Sequence, residues 1–246
     1  MRIQGLQKTT LLDYPGHVAA TIFLGGCNFR CPFCHNMNIV GEMGEDINEE
    51  ELFRFLNKRS GVIEGVCITG GEPTIYKELP EFIRKIKEIG TYNQNTQDDN
   101  AKGLLVKLDT NGTNPEMIRY LIDNKLIDYI AMDVKSSEDG YCKAIGLDNK
   151  EIATIINSVK QSIKIIMDSG IEYEFRTTIV NPIHSEREII GIGNLIYGAD
   201  RYFIQSFLDS EYVKDHTLAS YDKDTLLDFA SIISKYVKNV SLRGVD

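Results

Sequence analysis

No stretch of this sequence approaches the ~18 consecutive apolar residues that a membrane-crossing helix needs, so it offers no candidate for a bilayer span. Its first residues, MRIQGLQKTTLLDYPG, hold no continuous apolar segment and no small-residue cleavage site. We read them as a cytosolic start and not as a secretory signal. Basic charge is also short: 27 Lys and Arg stand against 36 Asp and Glu, a net charge of −9. This balance argues against a general binder of nucleic acid or anionic membrane, while leaving room for a local basic patch. Cysteine is scarce too. There are five in 246 residues, and three of them fall within eight positions, which is no disulfide framework. In a reducing compartment such a cluster favours metal binding or redox chemistry. Internal repeats and linker-like segments are lacking, so a single domain over 1–246 is expected. With 42% hydrophobic and 26% charged residues, a chain of this length buries an ample core without staples.

What is present is an alternation. Strand-like segments are expected at 17–24 (HVAATIFL), 65–69 (GVCIT), 103–110 (GLLVKLDT), 127–135 (IDYIAMDVK), 171–180 (IEYEFRTTIV) and 201–207 (RYFIQSF), with a last edge strand at 239–245. Helices are expected at 48–59, 78–90, 116–125, 151–170, 185–198 and 223–237. The first opens on Asn48 with Glu51 three residues on, a capping-box pattern. The fourth carries Ile152, Ile155, Ile156, Val159, Ile163, Ile166 and Met167 on one stripe and stops at Gly170. Six βα units in order imply a parallel α/β sheet with right-handed crossovers, either a doubly wound open sheet or an incomplete barrel. One polar stretch, TYNQNTQDDNAKG at 91–103, interrupts the pattern and reads as an exposed loop insertion.

Polar residues gather where these strands end. The cysteine loop follows the first, and Gly70-Gly71-Glu72-Pro73 follows the second. The third ends in Asp109-Thr110-Asn111-Gly112, and the fourth in Asp133 and Lys135 on either side of Val134. The fifth carries Arg176, and the sixth carries Gln205. The C-terminal edge of a parallel sheet is where such folds build sites, so these residues are expected to share a pocket. Loop polarity alone accounts for Asn111 and Asn181, but less well for a charged pair closing an apolar strand.

Cys27, Cys31 and Cys34 are spaced C-x3-C-x2-C. Structural zinc asks for four ligands, and His35, adjoining Cys34, is an awkward chelate partner. Cys67 sits on an apolar strand and reads as core; Cys142 reads as a free thiol. Three thiolates around an iron–sulfur cluster with one open iron fit the count best, with zinc and free thiols as the alternatives. An open metal position usually serves chemistry on whatever binds there.

With Phe33 before the last cysteine and Gly70–Pro73 (GGEP) closing the next strand, the sequence resembles the radical S-adenosylmethionine (SAM) superfamily. The resemblance implies a partial (β/α)6 barrel and a [4Fe-4S] cluster on Cys27, Cys31 and Cys34. It implies SAM chelated to the fourth iron and cleaved to a 5′-deoxyadenosyl radical that abstracts hydrogen. The cofactors carry that chemistry, and the protein binds, orients and shields them. SAM contacts are then expected from Phe33, Gly70, Gly71 and Glu72, the glycines permitting close backbone approach to the ligand.

DTNG and MDVK are similar to segments of the activating enzymes of glycyl radical enzymes. That similarity adds Asp109, Asp133, Lys135 and Arg176 to the SAM-binding set, and a monovalent cation near Asp109, Thr110 and Asp133. A structural ion pair between Asp133 and Lys135 is the plainer alternative. The segment GLQKTTLLDYPGHVAATIFLGGCNFRCPFCHN resembles one subgroup in particular, the anaerobic (class III) ribonucleoside-triphosphate reductase activating proteins. It implies that reductase as protein substrate and a flavodoxin or ferredoxin as electron donor, in the cytoplasm. Two departures stand out: the long 91–103 loop, and Gln205 where some related activases carry a histidine near SAM. No eight-cysteine insert is present, so no auxiliary cluster is expected. The alternatives are activation of another glycyl radical enzyme, radical chemistry on a small molecule such as a deazapurine precursor, and a non-catalytic metal site.

Overall fold

The computed structural model describes residues 1–41, 45–90 and 103–245. Among them, eight strands form one sheet: β1 (Ile3–Thr10), β2 (Ala19–Leu24), β3 (Gly65–Gly70), β4 (Leu105–Thr110), β5 (Tyr129–Asp133), β6 (Glu172–Ile179), β7 (Tyr202–Ser206) and β8 (Val240–Arg243). Their order in the sheet is their order in the sequence. β2, β3 and β4 pair in parallel, as do β6, β7 and β8. A doubly wound sheet reverses its strand order at a switch point, whereas a (β/α) barrel does not. The progression here is the barrel one, as the partial (β/α)6 expectation requires. Helices α1 (Met37–Val40), α2 (Glu49–Arg59), α3 (Leu79–Lys87), α4 (Pro115–Asp123), α5 (Tyr141–Ile145), α6 (Ile152–Asp168), α7 (Glu186–Leu195) and α8 (Lys223–Ile233) fall between the strands. None is long and apolar enough to cross a membrane. Of the expected 91–103 loop, residues 91–102 lie outside the described residues.

The chain divides into two compact units. The first comprises Met1–Asn28, Asn38–Thr110 and Arg119–Ile130. Its sheet face is made by Ala20, Ile22 and Leu24 of β2, Val66 and Ile68 of β3, and Val106 and Leu108 of β4, all fully buried. Leu52 and Leu56 of α2 and Phe82, Ile83 and Ile86 of α3 are buried with them. The α2 start shows the N-cap part of the expected capping box: the Asn48 side chain accepts from the backbone N–H of Glu50 at 2.8 Å and of Glu51 at 3.4 Å. Three glutamates in the first turn and Lys58 and Arg59 in the last complement the helix dipole. The sequence pattern does not reveal β1. It pairs antiparallel with β2; Gln4 is half-buried and Gln7, Lys8 and Thr9 are exposed, so these four carry none of the apolar signal of the parallel strands.

The second unit comprises Phe29–Met37, Asn111–Ile118 and Ala131–Asp246. Of the expected α6 stripe, Val159, Ile163 and Ile166 are buried, and Gly170 ends the segment at φ +75°. α7 begins with a reciprocal capping box between Ser185 and Glu188. Glu174 on β6 is buried and takes both guanidinium arms of Arg243 on β8, at 2.7 and 2.9 Å. The same guanidinium lies 3.5 Å from the Phe203 ring centre on the intervening β7. One side chain thus ties three strands by a fork and a cation–π contact.

Candidate functional site

In the first unit the site residues are set by backbone packing. β3 ends at Gly70, whose φ is +122°, and a side chain there would lie 2.2 Å from the Leu24 carbonyl oxygen. At Gly71 a Cβ would fall 1.7 Å from the carbonyl oxygen of Gly26 and 3.2 Å from the Cβ of Cys27. Only glycine fits either position. The gap is closed by hydrogen bonds from Gly71 N–H to Leu24 O at 2.8 Å and from Glu72 N–H to Gly26 O at 2.9 Å. The close approach that the two glycines permit is therefore to the chain that delivers Cys27. Tyr76 adds a hydroxyl bond to Gly25 O at 2.8 Å.

Glu72 is 1% exposed. Its Oε1 accepts from the Thr74 N–H at 3.1 Å, the Thr74 hydroxyl at 2.5 Å and the Thr110 hydroxyl at 2.7 Å. It caps the short 3-10 turn Pro73–Ile75 and braces β4, so its carboxylate serves the frame of the site. On β4, Asp109 is buried and accepts from the Nζ of Lys107, a fully buried lysine. The same ammonium lies 3.7 Å from the Cys67 sulfur and 5.9 Å from the centre of the Tyr129 ring. Lys107 was legible as an oddity, a charge inside the apolar run LLVKLDT, but sequence reasoning gave it no role.

In the second unit the site residues are set by charge. The carboxylate of Asp133, at the end of β5, accepts from Lys135 Nζ at 2.9 Å and from Arg176 Nε. Burial works to raise its pKa, but Arg176 and then Lys135 outweigh that and hold it well below the usual carboxylate range. Burial likewise opposes the charge on Lys135, yet Asp133 and then the Cys31 thiolate raise its pKa above the ordinary value. The ion pair weighed as the plainer alternative is present, and Arg176 makes it a triad. Two cations thus meet on one buried carboxylate, close enough to Cys31 for its charge to act on Lys135.

The loop bearing Cys31 and Cys34 is turned by a Cys34 N–H bond to Cys31 O at 3.2 Å. It is fastened to the end of α5, where Arg30 N–H donates to Ile145 O at 2.9 Å. Gly146, at φ +65°, would put a Cβ 2.1 Å from the Arg30 carbonyl oxygen. Tyr141 of α5 is fully buried, and its hydroxyl accepts from the Lys135 N–H at 3.4 Å. Phe33 is buried edge-on against the ring of His184 at 6.0 Å, and His35 lies tilted over Phe207 at 5.5 Å. Gln205, half-buried on β7, sits level with Thr178 of β6 and Arg243 of β8.

Sequence reasoning missed His184. Its Nδ1 accepts from the Val180 N–H at 3.0 Å, because a backbone N–H can only donate. The proton is therefore on Nε2, which donates to the Lys135 carbonyl at 2.8 Å. Burial lowers its pKa and keeps the ring neutral. One buried imidazole thus fixes both the strand end that carries Lys135 and the face against which Phe33 packs.

None of the five cysteines is in a disulfide. The donor chemistry fits an iron–sulfur cluster: Cys27, Cys31 and Cys34 offer soft sulfur ligands. The sequence model described as the Radical SAM superfamily matches residues 21–192. A glycine-clamped cysteine loop on a sequentially ordered parallel sheet is the structural counterpart of that match. The chain belongs to the radical SAM superfamily, whose members use a [4Fe-4S] cluster and SAM.

It is 34% identical over 252 residues to a protein of Methanocaldococcus jannaschii named, provisionally, a glycyl-radical enzyme activating enzyme, covering 99% of this chain and 96% of that one. It is 26% identical over 199 residues to the pyruvate formate-lyase-activating enzyme of Clostridium pasteurianum, covering 77% and 73% of the two chains. Among solved structures, Streptococcus suis SuiB bound to the precursor peptide SuiA gives a TM-score of 0.66 at 16% identity. That alignment covers 91% of this chain and 48% of SuiB. The chain spans about half of SuiB, and the likeness is one of fold.

Proposed function

We propose that this protein is a radical SAM activase that installs the glycyl radical of an anaerobic ribonucleoside-triphosphate reductase. The observation that carries the reading is the near full-length likeness to the M. jannaschii protein named for glycyl-radical enzyme activation, joined to the N-terminal segment that resembles reductase activating proteins. The whole chain acts as one radical SAM core domain. A flavodoxin or ferredoxin supplies the electron in the cytoplasm.

When bound, the cluster and SAM supply one-electron cleavage of a sulfonium bond and hydrogen-atom abstraction. The chain's own residues do the holding. Cys27, Cys31 and Cys34 take the cluster. Gly70 and Gly71 set where Cys27 stands, because their missing side chains let the end of β3 close on the end of β2. Lys135 and Arg176, which share Asp133, present cationic donors to the carboxylate of SAM. Phe33, braced by His184, offers an apolar surface to the adenine. Glu72 acts through Thr74 and Thr110, as a positioning residue.

The test is anaerobic reconstitution with iron and sulfide, followed by incubation with SAM, reductant and the reductase. A glycyl doublet in the electron paramagnetic resonance spectrum of the reductase is expected. SAM cleavage without a doublet on that or any other glycyl radical enzyme would sink the activase reading and point to a small-molecule substrate. Cluster loading without SAM cleavage would point to a non-catalytic metal site.

A further inference from the structure

The resemblance implies a monovalent cation near Asp109, Thr110 and Asp133. The side chains do not fit that role. An alkali ion is drawn to a carboxylate by its charge, and a cation already seated on that carboxylate opposes the approach of a second. Here the Asp109 carboxylate receives the ammonium of Lys107. The Thr110 hydroxyl directs its proton to Glu72. Asp133 is shared by Lys135 and Arg176. Each implied carboxylate already has a cation that belongs to the chain.

Lys107 is the decisive one. Its side chain is 2% exposed, and its stem lies along β4 in register with Cys67 of β3. An ion binding at Asp109 would stand against this ammonium, which is already held on the same carboxylate. To displace the ammonium instead would leave a buried charge without water or counter-charge, a cost that an alkali ion does not recover at one carboxylate. The Tyr129 ring adds a second, weaker anchor for the same charge.

We propose that Lys107 is a built-in counter-cation for Asp109, so that this chain binds SAM without an exchangeable alkali ion. The inference rests on the SAM-binding reading above. Its consequence is a protein indifferent to whether its surroundings supply potassium or sodium.

The test uses the reconstituted protein and its apo form in chlorides of potassium, sodium and N-methylglucamine at equal ionic strength. Wild-type SAM affinity, measured by calorimetry, should agree within about twofold across the three salts. Lys107→Met removes the ammonium from the Asp109 carboxylate. Its apo melting temperature should rise by several degrees in potassium relative to N-methylglucamine, by linkage to ion binding. The double variant Lys107→Met/Asp109→Asn removes both charges, should fold even where the single variant does not, and should show no such rise. A wild-type affinity that falls roughly tenfold or more in N-methylglucamine overturns the proposal. So does a folded Lys107→Met protein that ignores potassium. Absence of SAM binding in every salt would instead defeat the SAM reading, while the melting comparison would still decide the role of Lys107.

Discussion

In the first unit the cysteine-bearing strand end is held by backbone against backbone, and the polar side chains nearby brace one another. In the second, the corresponding strand ends are held by a charged triad and a buried imidazole. The difference has a physical consequence. Backbone clamps fix position with no tolerance for added atoms, whereas charge clusters fix orientation and potential and can be tuned by pH.

The sharpest way to break the first arrangement is Gly71→Ala. The added methyl would lie 1.7 Å from the Gly26 carbonyl oxygen, and backbone cannot yield by that much. We expect about 4 kcal/mol or more of destabilisation, seen as loss of soluble protein or a collapse of melting temperature and of iron loading. Asp133→Asn attacks the second arrangement. It leaves Lys135 and Arg176 facing each other across a neutral amide, at about 2–4 kcal/mol at neutral pH. The folded-state pKa of Asp133 is depressed, so its contribution is fully present above the ordinary carboxylate pKa near ~4 and drains away as the pH falls below it. Acid-unfolding curves of wild type and variant should therefore converge at low pH; a constant gap would mean the triad is not the cause.

His184→Phe keeps the ring facing Phe33 but strands the Val180 N–H and the Lys135 carbonyl, for about 1–3 kcal/mol. His184→Gln should recover part of it, and SAM affinity should follow the same order. If the two variants melt alike, the hydrogen bonds are not what His184 contributes. The smallest effect tests the frame away from both arrangements. Asn48→Ala removes the α2 cap for about 1 kcal/mol, with iron loading unchanged.

Much of this was legible in the sequence because parallel strands are apolar runs with polar ends. The expected strand at 17–24 is β2 (Ala19–Leu24), and that at 201–207 is β7 (Tyr202–Ser206). The three clustered cysteines, the glycine pair and the Asp133–Lys135–Arg176 set were all visible as residue types in position. β1 was not, since a polar edge strand looks like a loop. α5 was not, because five residues are too few to display a helical period. Lys107 and His184 escaped for a related reason. Each derives its meaning from a partner on another segment, and a single sequence does not show which segments meet.

The bond between Arg30 and Ile145 makes the cysteine loop dependent on chain that comes more than a hundred residues later. During synthesis the three thiols leave the ribosome long before α5 exists to shape the loop that carries two of them. Until Gly146 has passed under Arg30, those thiols belong to an unformed segment, open to oxygen and to whatever soft metal is at hand. The loop therefore takes its final shape late, only after α5 is in place.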